Sequence, residues 1–318
     1  MERHSGDLMD LESQGQADMP PADTLGVTVI VPCYNEEGMI GATVRQIHET
    51  MSSTSRPFEV IVVDDGSTDA TKAELDACTD QSSLRVLRNG TNRGYGYCIK
   101  RAVGQSRHEL IIITDADGTY PTDRMPDLLE RIRDADMVVG ARTTPNYGVP
   151  LVRRPAKWVL TKLASYLAGM DIPDINSGMR VMKRRLINKF MHFLPDGFSL
   201  TTTISLALLT HGYEVHYVPI DYGKRVGKSS IRPIRDTANF TSLIIRTVMY
   251  FKPLKVFVPL SAGLFCLAIV WGLVSKLVFG QLADVSVVVI SMASLQVLVI
   301  GLLADLIDKR FSPRHNDQ

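Results

Sequence analysis

Two aspartates one residue apart, Asp115 and Asp117, are the residues of this sequence best suited to chemistry. They follow an isoleucine run at 111–113 that predicts a buried strand, so both carboxylates come where that strand ends. Two neighbouring ionised carboxylates repel each other, and a cation beside them relieves the repulsion. Hard oxygen ligands of this kind suit Mg²⁺ or Mn²⁺, which proteins commonly share with substrate phosphates. An isolated pair would be interpreted as a solvated turn, but the surrounding chain favours a metal site.

Polar residues also follow the other predicted strands. Short apolar runs at 27–31, 58–63, 84–87 and 137–139 predict strands, with helical patterns between them. This alternation predicts an α/β fold with a doubly wound, mostly parallel sheet. The carboxyl ends of such strands meet at one edge, where ligands bind. The polar residues expected at that edge are Asn35, Glu36, Glu37, Asp64, Asp65, Asn92, Arg93, Gly94, Asp115, Asp117 and Arg142.

Local patterns near this edge predict turns and helix caps. Ser67 and Thr68 are expected to cap the helix that follows the second strand, and Asp196 is expected to cap a later helix rather than act as a base. Gly94 and Gly96 form a G-x-G without the third glycine of a dinucleotide-binding motif, so they do not predict one.

The last third of the chain contains two runs without a charged residue, at 256–275 and 285–304. At about 1.5 Å per residue, each helix would cross a hydrocarbon core of about 30 Å. The short link at 276–284 predicts a hairpin with both ends on one side of a membrane.

More basic residues lie beside the outer ends of the hairpin than in its link. One lysine lies in the link, whereas five basic residues lie next to the outer ends of the spans: Lys252, Lys255, Lys309, Arg310 and Arg314. The positive-inside rule therefore predicts that the large N-terminal part and the tail at 306–318 are cytoplasmic. Four scattered cysteines fit a reducing compartment without disulfides. The polar segment 1–25 is expected to be disordered, and the net charge of +1 gives no indication of a nucleic-acid partner.

Four motifs resemble those of glycosyltransferase family 2, which has the GT-A fold. They are VPCYNEE at 31–37, VDDGSTD at 63–69, NRG at 92–94 and DAD at 115–117. The resemblance extends over about 26–230 and implies a catalytic domain there. The polyprenyl-phosphate branch, which includes dolichyl-phosphate mannose synthases and bacterial undecaprenyl-phosphate sugar transferases, is the most similar. That likeness is carried by GAR at 140–142, NSGMR at 176–180, KRVGKS at 224–229 and the hairpin at 255–305.

The resemblance implies a role for each matching residue. It assigns the donor nucleotide to Pro32, Tyr34, Glu36, Asp64, Asp65, Asn92, Gly94 and Asp115. It assigns the metal to Asp115 and Asp117, and the donor and acceptor phosphates to Arg142, Ser177, Arg225 and Lys228, with Asp117, Arg142 and Arg225 as catalytic residues. Mannose synthases commonly carry Gln two residues after the second aspartate, where this chain has Thr119.

The implied reaction is inverting, metal-dependent transfer of a monosaccharide from a UDP- or GDP-sugar to a polyprenyl phosphate on the cytoplasmic leaflet. A phosphate acceptor is already anionic and needs no general base, and the segment 197–203 has no acidic residue. The segment 231–254 is predicted to be an amphipathic helix at the bilayer surface. A glycan or lipid hydroxyl acceptor and a non-catalytic membrane scaffold are alternatives. A homotetramer is implied by resemblance alone.

Overall fold

The structure is a computed structural model that describes residues 25–78, 82–142, 162, 165–166, 169, 171–223, 253–280 and 284–311. Within these ranges the chain forms two compact units. The first contains 25–78, 82–142, 176–201 and 214–223, and the second contains the remaining described residues. Residues 1–24 of the predicted disordered tail, the amphipathic helix up to residue 252 and the last residues of the C-terminal tail lie outside the described residues. Leu25, the last residue of that predicted tail, is instead buried in the core.

Seven strands of the first unit form one mixed sheet in the order β3-β2-β1-β4-β6-β5-β7. The strands are β1 (Val27–Cys33), β2 (Phe58–Asp64), β3 (Leu84–Arg88), β4 (Leu110–Ile113), β5 (Met137–Arg142), β6 (Arg180–Lys183) and β7 (Val215–Ile220). All neighbours pair in parallel except β6, which is antiparallel to β4 and β5. The prediction of a mostly parallel α/β sheet is therefore confirmed. β1 and β4 are buried along their whole length because helices cover both faces of the sheet.

The described residues also form eight α-helices, of which the last two follow the final strand. They are α1 (Ile40–Ser52), α2 (Thr71–Ala77), α3 (Tyr95–Val103), α4 (Met125–Arg131), α5 (Arg184–Phe190), α6 (Leu200–Thr210), α7 (Leu254–Phe279) and α8 (Asp284–Phe311). In α1 the buried apolar residues recur every three or four positions, at Ile40, Val44, Ile47 and Met51, which gives the helix one face on the core.

The predicted caps at Ser67 and Thr68 are wrong. Helix α2 begins at Thr71, and the Thr71 amide donates to Asp69 Oδ1 at 3.0 Å instead of to Ser67 or Thr68. The Ser67 hydroxyl instead accepts the Asn35 amide at 3.0 Å, and the Thr68 amide donates to Asn35 Oδ1 at 2.8 Å. Ser67 and Thr68 therefore join the loop after β2 to the loop after β1, a role that their position before a helical pattern did not predict.

The second unit contains helices α7 and α8, which are long and apolar enough to cross a membrane. They pack against each other through small residues. Among the described side chains, the buried positions of α7 are Ser261, Ala268, Gly272 and Ser275, and those of α8 are Ser294 and Gly301. The Ser261 hydroxyl donates to the Ser294 carbonyl at 3.0 Å, and the Ser294 hydroxyl donates to the Ser261 carbonyl at 2.9 Å.

Candidate active site

The two predicted metal-binding aspartates lie in the loop that leaves β4. Asp115 is half-buried, and Asp117 is only 5% exposed. The Asp117 Oδ1 accepts the Thr119 amide at 3.1 Å and the Thr119 hydroxyl at 2.5 Å. Gly118 between them has a φ of 67°, a left-handed conformation that glycine adopts without strain. The loop is also held from outside, because the Thr43 hydroxyl donates to the Ala116 carbonyl at 3.0 Å.

The Asp115 carboxylate lies near Tyr95, Gly178 and Tyr120. The Tyr95 hydroxyl donates to Asp115 Oδ1 at 3.2 Å. Burial, and next the charge of Asp115, raises the pKa of Tyr95 well above its usual range, so Tyr95 remains a hydrogen-bond donor. A Cβ at Gly178 would lie 2.7 and 2.8 Å from the two Asp115 oxygens. The Gly178 amide donates to the Tyr120 hydroxyl oxygen at 2.6 Å, and the pKa of Tyr120 is likewise raised by burial and then by Asp115.

The arrangement fits a divalent cation. Asp115 and Asp117 supply hard carboxylate oxygens from one loop, and the missing side chain at Gly178 leaves space beside Asp115. Within the described ranges, no group of three or more His, Cys, Asp or Glu residues could complete a metal site. Mg²⁺ and Mn²⁺ commonly take their remaining ligands from water and substrate phosphates, so two carboxylates are a sufficient protein contribution.

The loops after β1, β2 and β3 are joined by hydrogen bonds, as expected for one shared edge. The Asp65 amide donates to the Cys33 carbonyl at 2.9 Å, and the Asn89 amide donates to the Asp64 carbonyl at 2.8 Å. The Glu36 amide donates to the Thr71 hydroxyl oxygen at 2.9 Å. These bonds bring together the predicted donor-binding segments around Tyr34, Asp65 and Asn92, of which Tyr34 is 43% exposed.

The carboxylate of Asp65, a predicted nucleotide-binding residue, accepts hydrogen bonds from the loop after β3. It accepts Asn89 Nδ2 at 2.7 Å and the amides of Arg93 and Gly94 at 2.9 and 2.8 Å. Burial opposes ionisation of Asp65, but these hydrogen bonds outweigh it and lower its pKa. The neighbouring Asp64 is also buried, and its Oδ1 accepts the Ser67 amide at 2.9 Å.

Arg142 and Ser177, two predicted phosphate ligands, lie in different environments. Arg142 ends β5 half-buried, with its guanidinium carbon 5.3 Å from the centre of the Tyr222 ring. Ser177 is fully buried, and its hydroxyl donates to the Gly140 carbonyl at 2.5 Å. The other two predicted phosphate ligands, Arg225 and Lys228, lie outside the described residues.

The G-x-G at Gly94 and Gly96 has a packing role. A Cβ at Gly94 would lie 2.6 Å from the Asp196 carbonyl oxygen, and one at Gly96 would lie 2.1 Å from the Pro195 carbonyl oxygen. The expected helix cap at Asp196 instead forms an ion pair with Lys100 at 2.5 Å, because the loop packs on the first turns of α3. Phe198 of the same loop is 76% exposed and stacks on Tyr95, with ring centres 5.3 Å apart.

Four aromatic residues near the site were not found from the sequence. They are Tyr95, Tyr120, Tyr222 and Phe198. The only available signal was position, since Tyr95 follows the NRG motif directly and Tyr120 comes three residues after Asp117. Their contacts with Asp115, Gly178 and Arg142 depend on residues distant in the chain.

Two family comparisons agree with this geometry. Residues 28–191, more than half of the chain, match Glycosyl transferase family 2, and residues 252–309 match the GtrB C-terminal hairpin. The chain belongs to glycosyl transferase family 2. The predicted family and the presence of a glycosyltransferase domain are thereby confirmed.

Curated relatives cover most of the chain. The dolichyl-phosphate hexose transferase of Haloferax volcanii is 30% identical over 70% of this chain and 94% of its own length. The undecaprenyl-phosphate mannosyltransferase of Micrococcus luteus is 28% identical over 64% of this chain and 87% of its own. The dodecaprenyl-phosphate galacturonate synthase of Rhizobium johnstonii is 26% identical over 92% of this chain and 90% of its own.

A solved structure supports the fold. The glucosyl-3-phosphoglycerate synthase of Mycobacterium tuberculosis, crystallised with Mn²⁺, UDP and glucosyl-3-phosphoglycerate, superposes with a TM-score of 0.55. The alignment covers 78% of this chain and 85% of the synthase at 18% identity, so it bears on the fold alone.

Proposed function

We propose that this family 2 enzyme transfers a monosaccharide from a nucleotide-sugar to a polyprenyl phosphate, with inversion and with a divalent cation. The observation that carries the proposal is the combination of a carboxylate pair at the end of β4 with an apolar C-terminal hairpin. The relatives named for dolichyl, undecaprenyl and dodecaprenyl phosphate support this acceptor class.

Asp115 and Asp117 would hold the cation against the donor diphosphate. A bound Mg²⁺ or Mn²⁺ supplies Lewis-acid stabilisation of the negative charge that develops on the departing diphosphate. Pro32, Tyr34 and Glu36 would contact the base and ribose. We assign Asp65 the task of shaping the loop at Asn92 and Gly94, because its oxygens already accept bonds from that loop.

Basic side chains would bind the phosphates. The Gly223 amide donates to the Thr119 carbonyl at 2.9 Å, two residues past Asp117, and the chain continues directly into Lys224 and Arg225. This connection supports a place for Arg225, with Lys228 after it, near the diphosphate. Arg142, stacked on Tyr222, would supply a second guanidinium, a group that binds phosphate with two parallel hydrogen bonds. The Ser177 hydroxyl would support Gly140 rather than contact phosphate.

The acceptor would bring its own negative charge. Asp196, the acid closest in sequence to the segment 197–203, is ion-paired with Lys100, which makes it a poor general base. A phosphate oxygen of the acceptor would attack the anomeric carbon as the bond from that carbon to the diphosphate oxygen breaks. No proton need be removed from this nucleophile at neutral pH.

A matched pair of acceptors tests the proposal. Purified full-length protein in detergent micelles would be incubated with labelled UDP- and GDP-sugars and either undecaprenyl phosphate or undecaprenol, which differ only in the phosphate. We expect label to enter the lipid with undecaprenyl phosphate and not with undecaprenol. Transfer to undecaprenol alone would favour a hydroxyl acceptor. Nucleotide binding without transfer to any lipid or glycan acceptor would favour the non-catalytic scaffold.

We further propose that residues 26–230 form a cytoplasmic catalytic domain, that 231–254 lie at the bilayer surface and that 255–305 span the membrane twice. Replacing Gln281 in the link with cysteine should allow labelling by a membrane-impermeant maleimide in intact bacterial cells. A cysteine at the exposed Ser53 should be labelled only after permeabilisation. The reverse pattern would contradict this orientation.

A further inference from the structure

Thr119 holds the carboxylate of Asp117 in place with two hydrogen bonds. Its hydroxyl donates at 2.5 Å and its amide at 3.1 Å, and both bonds end on the same oxygen, Oδ1. Thr119 is only 2% exposed, so water competes little for these bonds. Two donors on one oxygen restrict the rotation of the Asp117 carboxylate.

The main chain of Thr119 makes a second connection. Its carbonyl oxygen accepts the Gly223 amide at 2.9 Å, and a Cβ at Gly223 would lie only 3.4 Å from that oxygen. The neighbouring rings of Tyr120 and Tyr222 meet edge to face, with centres 5.1 Å apart. One residue therefore joins the turn that carries Asp117 to the segment that leads into Lys224 and Arg225.

We infer that Thr119 is a positioning residue that orients Asp117 for a divalent cation and joins the turn of Asp117 to the chain at Gly223. The Thr119 hydroxyl donates its single proton to Asp117. It therefore acts through Asp117, whereas a longer side chain such as glutamine at this position could contact the cation directly. The inference rests on the proposed function, because it requires a cation at Asp117.

Four variants separate this role from a general loss of structure. Thr119→Val keeps the shape of the side chain but removes the hydroxyl, whereas Thr119→Ser keeps the hydroxyl. Asp117→Asn removes the charge of the proposed ligand. Thr43→Val is the matched control, because it removes a threonine hydroxyl bond to the Ala116 carbonyl in the same loop without altering a contact to the Asp117 carboxylate.

Mn²⁺ binding to full-length protein in detergent micelles would be measured by electron paramagnetic resonance, with Mn²⁺ alone as the probe. Loss of a group that orients a metal ligand typically weakens metal affinity about 10- to 100-fold, and we expect a loss of that size for Thr119→Val. Thr119→Ser should bind Mn²⁺ with an affinity close to that of the unmodified chain. Thr43→Val loosens the same loop without removing a bond to the Asp117 carboxylate, so it should lose clearly less Mn²⁺ affinity than Thr119→Val. In turnover assays, Thr119→Val should raise the Mn²⁺ concentration needed for half-maximal rate more than it changes the KM for the nucleotide-sugar.

The outcomes distinguish this inference from the proposed function. If Asp117→Asn abolishes Mn²⁺ binding but Thr119→Val does not weaken it, the role of Thr119 is wrong and the metal site stands. If the unmodified chain and Asp117→Asn bind Mn²⁺ equally, or neither binds, the metal site itself is wrong and the inference falls with it. Equal losses in Thr119→Val and Thr119→Ser would also overturn the role of the hydroxyl.

Discussion

The sheet buries its aliphatic side chains, whereas the C-terminal hairpin exposes most of its own. In β4 the isoleucines at 111–113 are fully buried, whereas on the hairpin Leu273 is 58% and Val288 55% exposed. The buried positions of the hairpin are instead small or polar, as at Ser261 and Ser294. Burial away from water is favourable for aliphatic groups, so they lie in the core of the sheet. Lipid tails are as apolar as these side chains, so there is no hydrophobic driving force for burying them between two helices in a bilayer. The same residue types therefore define the interior of one region and the exterior of the other.

The two regions also differ in where their polar groups lie. At the sheet, Asp115 and Asp117 follow the carboxyl end of β4 and lie at an edge of the kind where ligands bind in α/β folds. In the hairpin the hydroxyls of Ser261 and Ser294 face each other and bond to the partner helix's backbone. The polar groups at the sheet edge therefore lie where a ligand can reach them, whereas those in the hairpin bond the two helices to each other.

Removing one charge from the sheet edge should have the largest effect. Asp117→Asn should lower kcat/KM by about 100- to 1,000-fold or more, because a neutral amide cannot help to hold the charge that stabilises the departing diphosphate. Transfer of labelled sugar to polyprenyl phosphate is the measurement. Asp123→Asn, at an exposed aspartate nearby in sequence, is the control and should keep its activity. An active Asp117→Asn variant would contradict the assignment of this edge to catalysis.

Truncating an aliphatic side chain should distinguish the two regions directly. Ile112→Ala should lower the free energy of unfolding by about 2–5 kcal/mol, because it leaves a cavity in a fully buried strand. Val288→Ala on the outer face of α8 should change it by less than about 0.5 kcal/mol. Chemical unfolding of the full chain in detergent micelles measures both. A similar cost at Val288 would show that this face packs against protein, for example a second copy of the chain.

Lowering the pH should weaken the loops of the sheet edge through Asp65. Its pKa is lowered by the fold, so its contribution to stability is complete above its unfolded pKa of about 3.9 and is lost as the pH falls through its folded pKa. Asp65→Asn should therefore be less stable than the unmodified chain at pH 7, and the difference should shrink below about pH 4. Unfolding curves across this range provide the test. A difference that does not change with pH would assign the loss to packing instead of charge.

Removing a polar contact from the hairpin should have the smallest effect. Ser261→Val and Ser294→Val should each cost about 0.6 kcal/mol, with an upper limit of about 1.7 kcal/mol, as is typical of hydrogen bonds between membrane helices. The double variant should cost less than the sum, because the two hydroxyls serve one contact. Unfolding in mixed micelles measures this coupling, with Ser286→Val at an exposed serine as the control. Strictly additive losses would mean that the serines act separately.

Sequence patterns were sufficient to predict most of the parallel strands, the position of Asp115 and Asp117 after β4, the family and the two apolar helices. These features are encoded locally, in apolar runs and in the polar residues that end them. Strand β6 was not predicted because it begins with Arg180, which is fully buried and donates to the carbonyls of Thr201 and Ser177. A buried charge inside a strand breaks the apolar pattern on which the prediction depends.

Only the tertiary structure decided how the edge residues are used. Tyr95 reaches Asp115 across 20 positions of sequence, the Thr119 carbonyl meets the Gly223 amide, and Ser67 bonds to Asn35 instead of capping a helix. In the hairpin, the sequence predicted the apolar spans but not the contact between Ser261 and Ser294. Each of these contacts joins residues that are far apart in the chain, and their partners are determined by which loops the packed elements bring together.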